Sequence, residues 1–335
     1  MFAQLEWQHM ICLKEIVIMR KNKLGTTDIE VSEIAFGGVE IGVPYGIGVK
    51  NESDMLAEQD AIALLHRAVE EGINFFDTAR LYGDSERIMG RAFNDRRTQV
   101  VLASKCRHLR RPDGKLVPRS ELEAFIRGSL EESLRMLQTD YLDLYMVHYA
   151  DAEVLQLDEV AAIFMALKQE GLVRSIGVSV YKSDETKQAI DAGMWEAIQL
   201  PFNLIDQSHG AHFEAAANQG VGIIVRSVLM RGLLTERIQT LHPALQEVER
   251  HISRYRSLVS EQFSGLPQLA TKFVLAHEAV SSVLVGIDKE QYLTEALATT
   301  AGSAFDNLLL TELQQLAYPN PDFLNLAEWD KNGWI

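Results

Sequence analysis

From residue 33 onward the chain alternates short β-branched or apolar runs with longer stretches in which apolar residues recur three and four positions apart. The short runs read as buried strands and the three-and-four spacing as one face of a helix. Strands are expected at 33–37, 73–76, 99–104, 142–147, 174–179, 196–200, 222–226 and 282–285. Leu122, Phe125, Ile126, Leu130, Leu134 and Leu137 form one helical stripe, with Ser120 and Glu123 spaced as a capping box at its start. A second stripe, Ile62, Leu65, Ala68 and Val69, lies in a helix over 60–71 that Gly72 stops.

Alternation of this kind predicts crossover units and a parallel sheet. Eight strands can close into a barrel or lie open as a doubly wound sheet. Polar residues end one strand after another, Asp77, Lys105, His148, Ser179, Gln199, Arg226 and Ser227, and in barrels chemistry gathers at the C-terminal strand ends. A doubly wound sheet for dinucleotides calls for a glycine-rich turn after the first strand, and Phe36-Gly37-Gly38-Val39 is not one. The expected fold class is α/β: a single (β/α)8 TIM barrel with an N-terminal extension or hairpin and a long loop after the seventh strand. That loop, 228–264, carries an added helix near 243–259 and is placed to cover a ligand. No Pro/Gly/Ser-rich linker divides the chain, so residues 19–335 read as one domain and residues 1–18 as an extension without an assigned role.

Composition narrows the picture. A 335-residue chain with 47% hydrophobic and 24% charged residues can bury a sizeable core. The formal charge of -15 comes without a dense Lys/Arg patch, which argues against nucleic-acid binding. No run approaches the ~20 apolar residues that span a bilayer, and residues 1–18 lack a secretory core. The two cysteines, Cys12 and Cys106, make no disulfide framework and lack zinc-type spacing. A cytoplasmic protein without a structural metal is the expectation.

In the segment Gly72-Ile-Asn-Phe-Phe-Asp77-Thr-Ala-Arg-Leu-Tyr82 a buried-looking strand ends in a carboxylate and a tyrosine follows five residues later. Lys105 and His148 each end an apolar run of their own. Such a set suits proton transfer at a carbonyl or alcohol oxygen. A phenol with a pKa near ~10 is a poor donor at neutrality; the Lys105 ammonium is expected to lower it, Asp77 to hold Lys105 charged, and His148 to donate to the substrate oxygen. Each residue alone has a structural explanation as a cap, a turn residue, a solvated strand end or a packed ring. The ordered set carries the chemistry.

These motifs give the resemblance. Phe76-Asp77-Thr-Ala-Arg-Leu-Tyr82-Gly, Ser104-Lys105, Asp143-Leu-Tyr-Met-Val-His148 and Gly177-Val-Ser179 are similar, in order, to those of the aldo-keto reductase family, over about residues 23 to 297. The resemblance implies an extended NAD or NADP cofactor bound without a Rossmann domain, Tyr82 as general acid/base, Asp77 and Lys105 tuning it, and His148 orienting the substrate. It places Ser179 and Gln199 at the nicotinamide carboxamide, although Val180 stands where the family has an asparagine. Arg226, Ser227 and the following segment run along the pyrophosphate, and Gly286, Asp288, Tyr292 and Glu295 lie on the adenosine, with Ala296 in place of an asparagine. Asp288 stands where NADP-preferring members have Ser, Lys or Arg, so the resemblance leans toward NAD, with Lys289 as the nearby cation that would favour a phosphate. Asp288 as a plain helix cap is the alternative reading.

The overall look is that of sugar-dehydrogenase-like bacterial members, which makes an aldose or related polyol the first expected substrate and a small carbonyl or alcohol the partner. Other readings stay open: an imine-forming Lys105 in a barrel lyase, a cofactor-binding regulatory module with little turnover, or a reductase of a nucleotide-sugar or secondary-metabolite intermediate. Trp329 and Trp334 either wall a pocket or pack under the barrel. The family includes monomers and assemblies, so no oligomeric state is implied.

Overall fold

The computed structural model describes residues 19–47, 49, 51–236, 241–300 and 305–335. The 1–18 extension lies outside them. Two short strands, β1 (Lys21–Lys23) and β2 (Glu30–Ser32), pair antiparallel as a hairpin. Eight further strands follow: β3 (Ile34–Gly37), β4 (Phe75–Asp77), β5 (Val101–Lys105), β6 (Leu142–Val147), β7 (Val173–Ser179), β8 (Ala197–Pro201), β9 (Gly222–Arg226) and β10 (Val280–Gly286). They pair parallel in chain order and β10 closes back on β3, which makes a barrel and rules out the open sheet.

Alternation along each strand sorts the core. Ile34, Phe36, Phe76, Leu102, Tyr145, Val147, Ile176, Val178, Ile198, Ile223 and Val283 face outward into a cluster under the helices. Ala35, Phe75, Val101, Ala103, Leu144, Met146, Ala197, Ile224 and Leu284 form a separate cluster inside the barrel, capped at its N-terminal end by Leu24, Ile29 and Val31 of the hairpin. Because side chains alternate with period two, the next inward positions are Asp77 after Phe75, Lys105 after Ala103, His148 after Met146, Gln199 after Ala197 and Arg226 after Ile224. Strand parity therefore stacks a polar layer on an apolar plug.

The helices α1 (Glu58–Glu70), α2 (Ser85–Phe93), α3 (Leu122–Leu137), α4 (Asp158–Gln169), α5 (Ser183–Asp191) and α6 (Phe213–Asn218) each follow a barrel strand. The loop after β9 holds α7 (Gln246–Arg256) before α8 (Leu266–Leu275), and α9 (Glu290–Ala298), α10 (Asn307–Gln315) and α11 (Leu326–Lys331) follow β10. Among the described residues no helix is long and apolar enough to cross a membrane.

Two local expectations are corrected. Ser120 does not cap α3: the Glu121 N–H donates to the Pro118 carbonyl at 2.8 Å, so Ser120 is taken into a 3-10 turn and α3 begins at Leu122 without a side-chain cap. In α1 the fully buried positions are Ala61, Leu64, Leu65 and Ala68, while Ile62 and Val69 pack at the margin. Gly72 does end that helix, with φ of +95°.

Candidate active site

The polar layer opens into a cavity of about 620 Å3, a size usual for cofactor and small-molecule sites. Asp77, Tyr82, His148, Ser179, Gln199, Arg226 and Ser227 line it from the ends of β4 to β9, and Gly286, Asp288, Tyr292, Glu295 and Ala296 from β10 and α9. Lys105 lies behind the wall, fully buried. Its ammonium donates to Asp77 Oδ2 at 2.6 Å and to the Thr78 carbonyl at 3.0 Å, and lies 3.4 Å from the Tyr82 hydroxyl. Gln199 Nε2 donates to Asp77 Oδ1 at 2.9 Å, and Ser179 Oγ reaches Gln199 Oε1 at 3.5 Å. One chain of bonds thus runs from Ser179 to Tyr82. An amine so enclosed and engaged is not placed to form an imine with a substrate, which removes the lyase alternative.

Electrostatics corrects one expectation. Burial, followed by the Asp77 carboxylate, holds the Tyr82 phenol well above the usual tyrosine range, with Arg226 pulling it down. Lys105 was expected to bring Tyr82 down; in this cavity desolvation of the phenolate outweighs the cations, and the phenol keeps its proton. Burial depresses the Lys105 ammonium while Asp77 opposes that shift. His148, whose ring meets Tyr82 edge-on at 5.4 Å, is held well below the usual histidine range by burial and then by Lys105. It is a neutral imidazole with a single N–H to donate, and its Nδ1 is buried without a hydrogen-bond partner. A protonated phenol and a neutral N–H donor at one cavity end can polarise a carbonyl oxygen and deliver a proton to it.

The tyrosine is held by features that the periodicity does not reveal. A Cβ on Gly42 would lie 1.9 Å from the Tyr82 carbonyl, and one on Gly83, at φ of +50°, 2.2 Å from the Gly42 carbonyl, so the 38–43 loop lies directly on the Tyr82 turn. Behind that turn the buried Glu86 pairs with Arg80 and accepts from Ser104 Oγ at 2.6 Å, and Arg80 reaches on to Glu132 at 2.8 Å. The signal was present in the sequence: Glu86 sits three and four positions ahead of Met89 and Gly90, on the buried face of α2.

These motifs on this barrel decide the family, and the sequence pattern of the Aldo/keto reductase family matches residues 33–315. The chain belongs to the aldo/keto reductase family. It is 30% identical over 315 residues to the L-galactose dehydrogenase of Arabidopsis thaliana, covering 88% of this chain and 93% of that one. It is 27% identical over 308 residues to an NADH-specific methylglyoxal reductase of Escherichia coli (strain K12), covering 84% and 93%. The holo form of aldo-keto reductase AKR11C1 from Bacillus halodurans superposes with a TM-score of 0.76 at 28% identity, over 90% of this chain and 99% of that one. The protein is thus an oxidoreductase of a family that uses NAD(P)H.

Around the β10–α9 end of the cavity the structure refines several expectations. Val180 is fully buried and packs outward in the helix-facing core, while its carbonyl accepts from Arg226 Nη2 at 2.8 Å. Lys289, not Asp288, is the N-cap of α9, and it makes no side-chain cap bond. The Lys289 ammonium lies 5.8 Å over the Tyr292 ring, and Glu295 accepts from Gln291 at 2.7 Å. Trp329 and Trp334 do not line the cavity: Trp329 is buried and donates to the Phe323 carbonyl at 2.8 Å, and Trp334 stacks on His242 of the long loop at 6.0 Å. The tail packs against that loop, not under the barrel. Two contacts escaped the sequence altogether: Arg231 bonds the Tyr45 hydroxyl at 3.3 Å, joining two loops at the cavity, and the Tyr181 ring covers the Arg226 guanidinium at 4.1 Å.

Proposed function

We propose that the protein transfers hydride between a nicotinamide cofactor, NAD in preference to NADP, and a carbonyl or alcohol carbon of an aldose or related sugar or polyol. The observation that carries this reading is the Asp77–Lys105–Tyr82 contact chain with His148 edge-on to the tyrosine, all at one end of the cavity. Tyr82 acts as general acid in reduction and general base in oxidation, His148 donates to the substrate oxygen, and Lys105 with Asp77 fixes the charge behind the phenol. Ser179 and the free face of the Gln199 amide suit a carboxamide, and the cavity continues past Arg226, Ser227 and Gly286 to Asp288, Tyr292 and Glu295, which suits an extended dinucleotide. The cofactor supplies the hydride acceptor or donor.

For NAD over NADP the support is charge. Glu40, Asp288 and Glu295 line the nucleotide end, and Lys289 is turned onto Tyr292; a carboxylate repels a 2′-phosphate and accepts from a ribose hydroxyl. The similarity to an NADH-specific reductase agrees with this, and similarity to a dehydrogenase named for L-galactose supports a sugar substrate. In the ring series His108, Tyr149 and Tyr181, with centroids 6.5 and 4.9 Å apart, His108 meets the His148 ring edge-on and Tyr181 lines the cavity, where it offers an aromatic surface for sugar C–H groups. A reducing compartment, the cytoplasm, suits the buried thiol of Cys106, which burial pushes up to about 12. A panel of sugars, polyols and small carbonyls, run in both directions while following reduced-nicotinamide absorbance, tests the reading. Turnover of a sugar or polyol with NAD supports it; no turnover of any panel member despite nucleotide binding would favour a regulatory module.

A further inference from the structure

The catalytic end of the cavity holds two cations with different surroundings. Lys105 is paired with Asp77, whereas no carboxylate among the described residues pairs with Arg226. The Arg226 contacts are all neutral: Nη2 donates to the Val180 carbonyl at 2.8 Å, Nη1 to Ser227 Oγ at 3.3 Å, and the guanidinium lies 4.1 Å from the Tyr181 ring centroid. Its Nε is buried without a hydrogen-bond partner. The residue is half-buried and lines the cavity. Its charge is felt at the reacting end, where it pulls the phenol of Tyr82 down and opposes protonation of His148.

We propose that Arg226 makes this protein hold the reduced nicotinamide more tightly than the oxidised one. The inference rests on the nicotinamide reading above. A ring that exchanges hydride with the substrate carbon must come to the oxygen-binding groups Tyr82 and His148, and so enters the field of Arg226. The oxidised ring carries a positive charge and the reduced ring none, while the rest of the nucleotide is identical. A fixed cation in a partly desolvated wall, with no carboxylate at ion-pair distance although Asp206 lies within its electrostatic reach, therefore discriminates between the two states. An arginine placed on the pyrophosphate would strengthen both equally. Arg226 instead reaches back to the end of β7, through the Val180 carbonyl, toward the catalytic layer. In the oxidative direction the alcohol gives up its hydride from carbon to the oxidised cofactor and its hydroxyl proton to Tyr82, leaving a carbonyl and the reduced cofactor. Tighter holding of the reduced form draws that bound equilibrium toward the carbonyl and leaves the equilibrium in solution unchanged.

The test is the dissociation constants of NADH and NAD+ for the wild-type protein, Arg226→Met and Arg226→Lys, measured by calorimetry on variants shown by circular dichroism to be folded. The wild-type protein is expected to bind NADH at least about tenfold more tightly than NAD+, the size of one partly screened charge acting across the cavity. In Arg226→Met this ratio falls by about tenfold, mainly because NAD+ binds better, and Arg226→Lys keeps most of it. An unchanged ratio in Arg226→Met, parallel weakening of both nucleotides, or a change confined to the KM of anionic substrates would overturn the proposal. Absence of binding of either nucleotide to the wild-type protein would overturn the underlying nicotinamide reading, and this proposal with it.

Discussion

At the strand ends each polar side chain is held by another: Asp77 by Lys105 and Gln199, Gln199 by Ser179, and the Tyr82 turn by Gly42 and the 38–43 loop. At the β10–α9 end, Asp288, Tyr292 and Glu295 stand half-buried on a loop and the first turns of a helix, and the exposed Lys289 ammonium rests on a ring. The first region is fixed by strand parity, so a change there disturbs the core. The second is a set of side chains on a margin, which can be exchanged without moving the barrel. In this fold the strand-end layer is locked by construction and the β10–α9 margin is adjustable, which under the proposed function leaves nucleotide choice free to change.

The sharpest way to break the contrast is Lys105→Met. It leaves the Asp77 carboxylate buried without its cation, and removing one partner of a buried pair costs about 3–5 kcal/mol. Chemical denaturation should show that loss, and turnover should fall by at least about 100-fold. Gly42→Ala comes next: its methyl group displaces the Tyr82 carbonyl, so kcat is expected to drop by roughly 10- to 100-fold with nucleotide affinity nearly unchanged, as steady-state kinetics and binding titration would report. The smallest change in stability belongs to Asp288→Arg, within about 0.5 kcal/mol by thermal melt. Its preference between NAD and NADP, from initial rates, should nonetheless move about tenfold toward NADP, the size of one exposed charge interaction. An Asp288→Arg protein with the parent preference would dissolve the distinction between the two regions.

The same contrast governs what the sequence disclosed. Strand positions came within one or two residues because most are short β-branched or apolar runs, and the site residues stood out as the polar residues that end one strand after another. Asp77 and Lys105 proved to be the last residues of their strands, not residues beyond them. Contacts between loops left no such trace: Arg231 and Tyr45 are 186 positions apart, and nothing in either segment announces the other. The direction of the Tyr82 shift was misjudged because a sequence shows the charges near a group and not its desolvation, which here is the larger influence. Ser120 was misread as a cap because the spacing of a capping box does not register that Pro118 starts a tighter turn first.

Proton transfer through Tyr82 is the step on which the proposed reaction depends. The direct measurement is single-turnover hydride transfer in Tyr82→Phe at saturating nucleotide and substrate, beside the NADH dissociation constant of the same variant. The expected result is a rate lower by about 1000-fold or more with a dissociation constant near that of the parent; a rate close to the parent's would contradict the assignment.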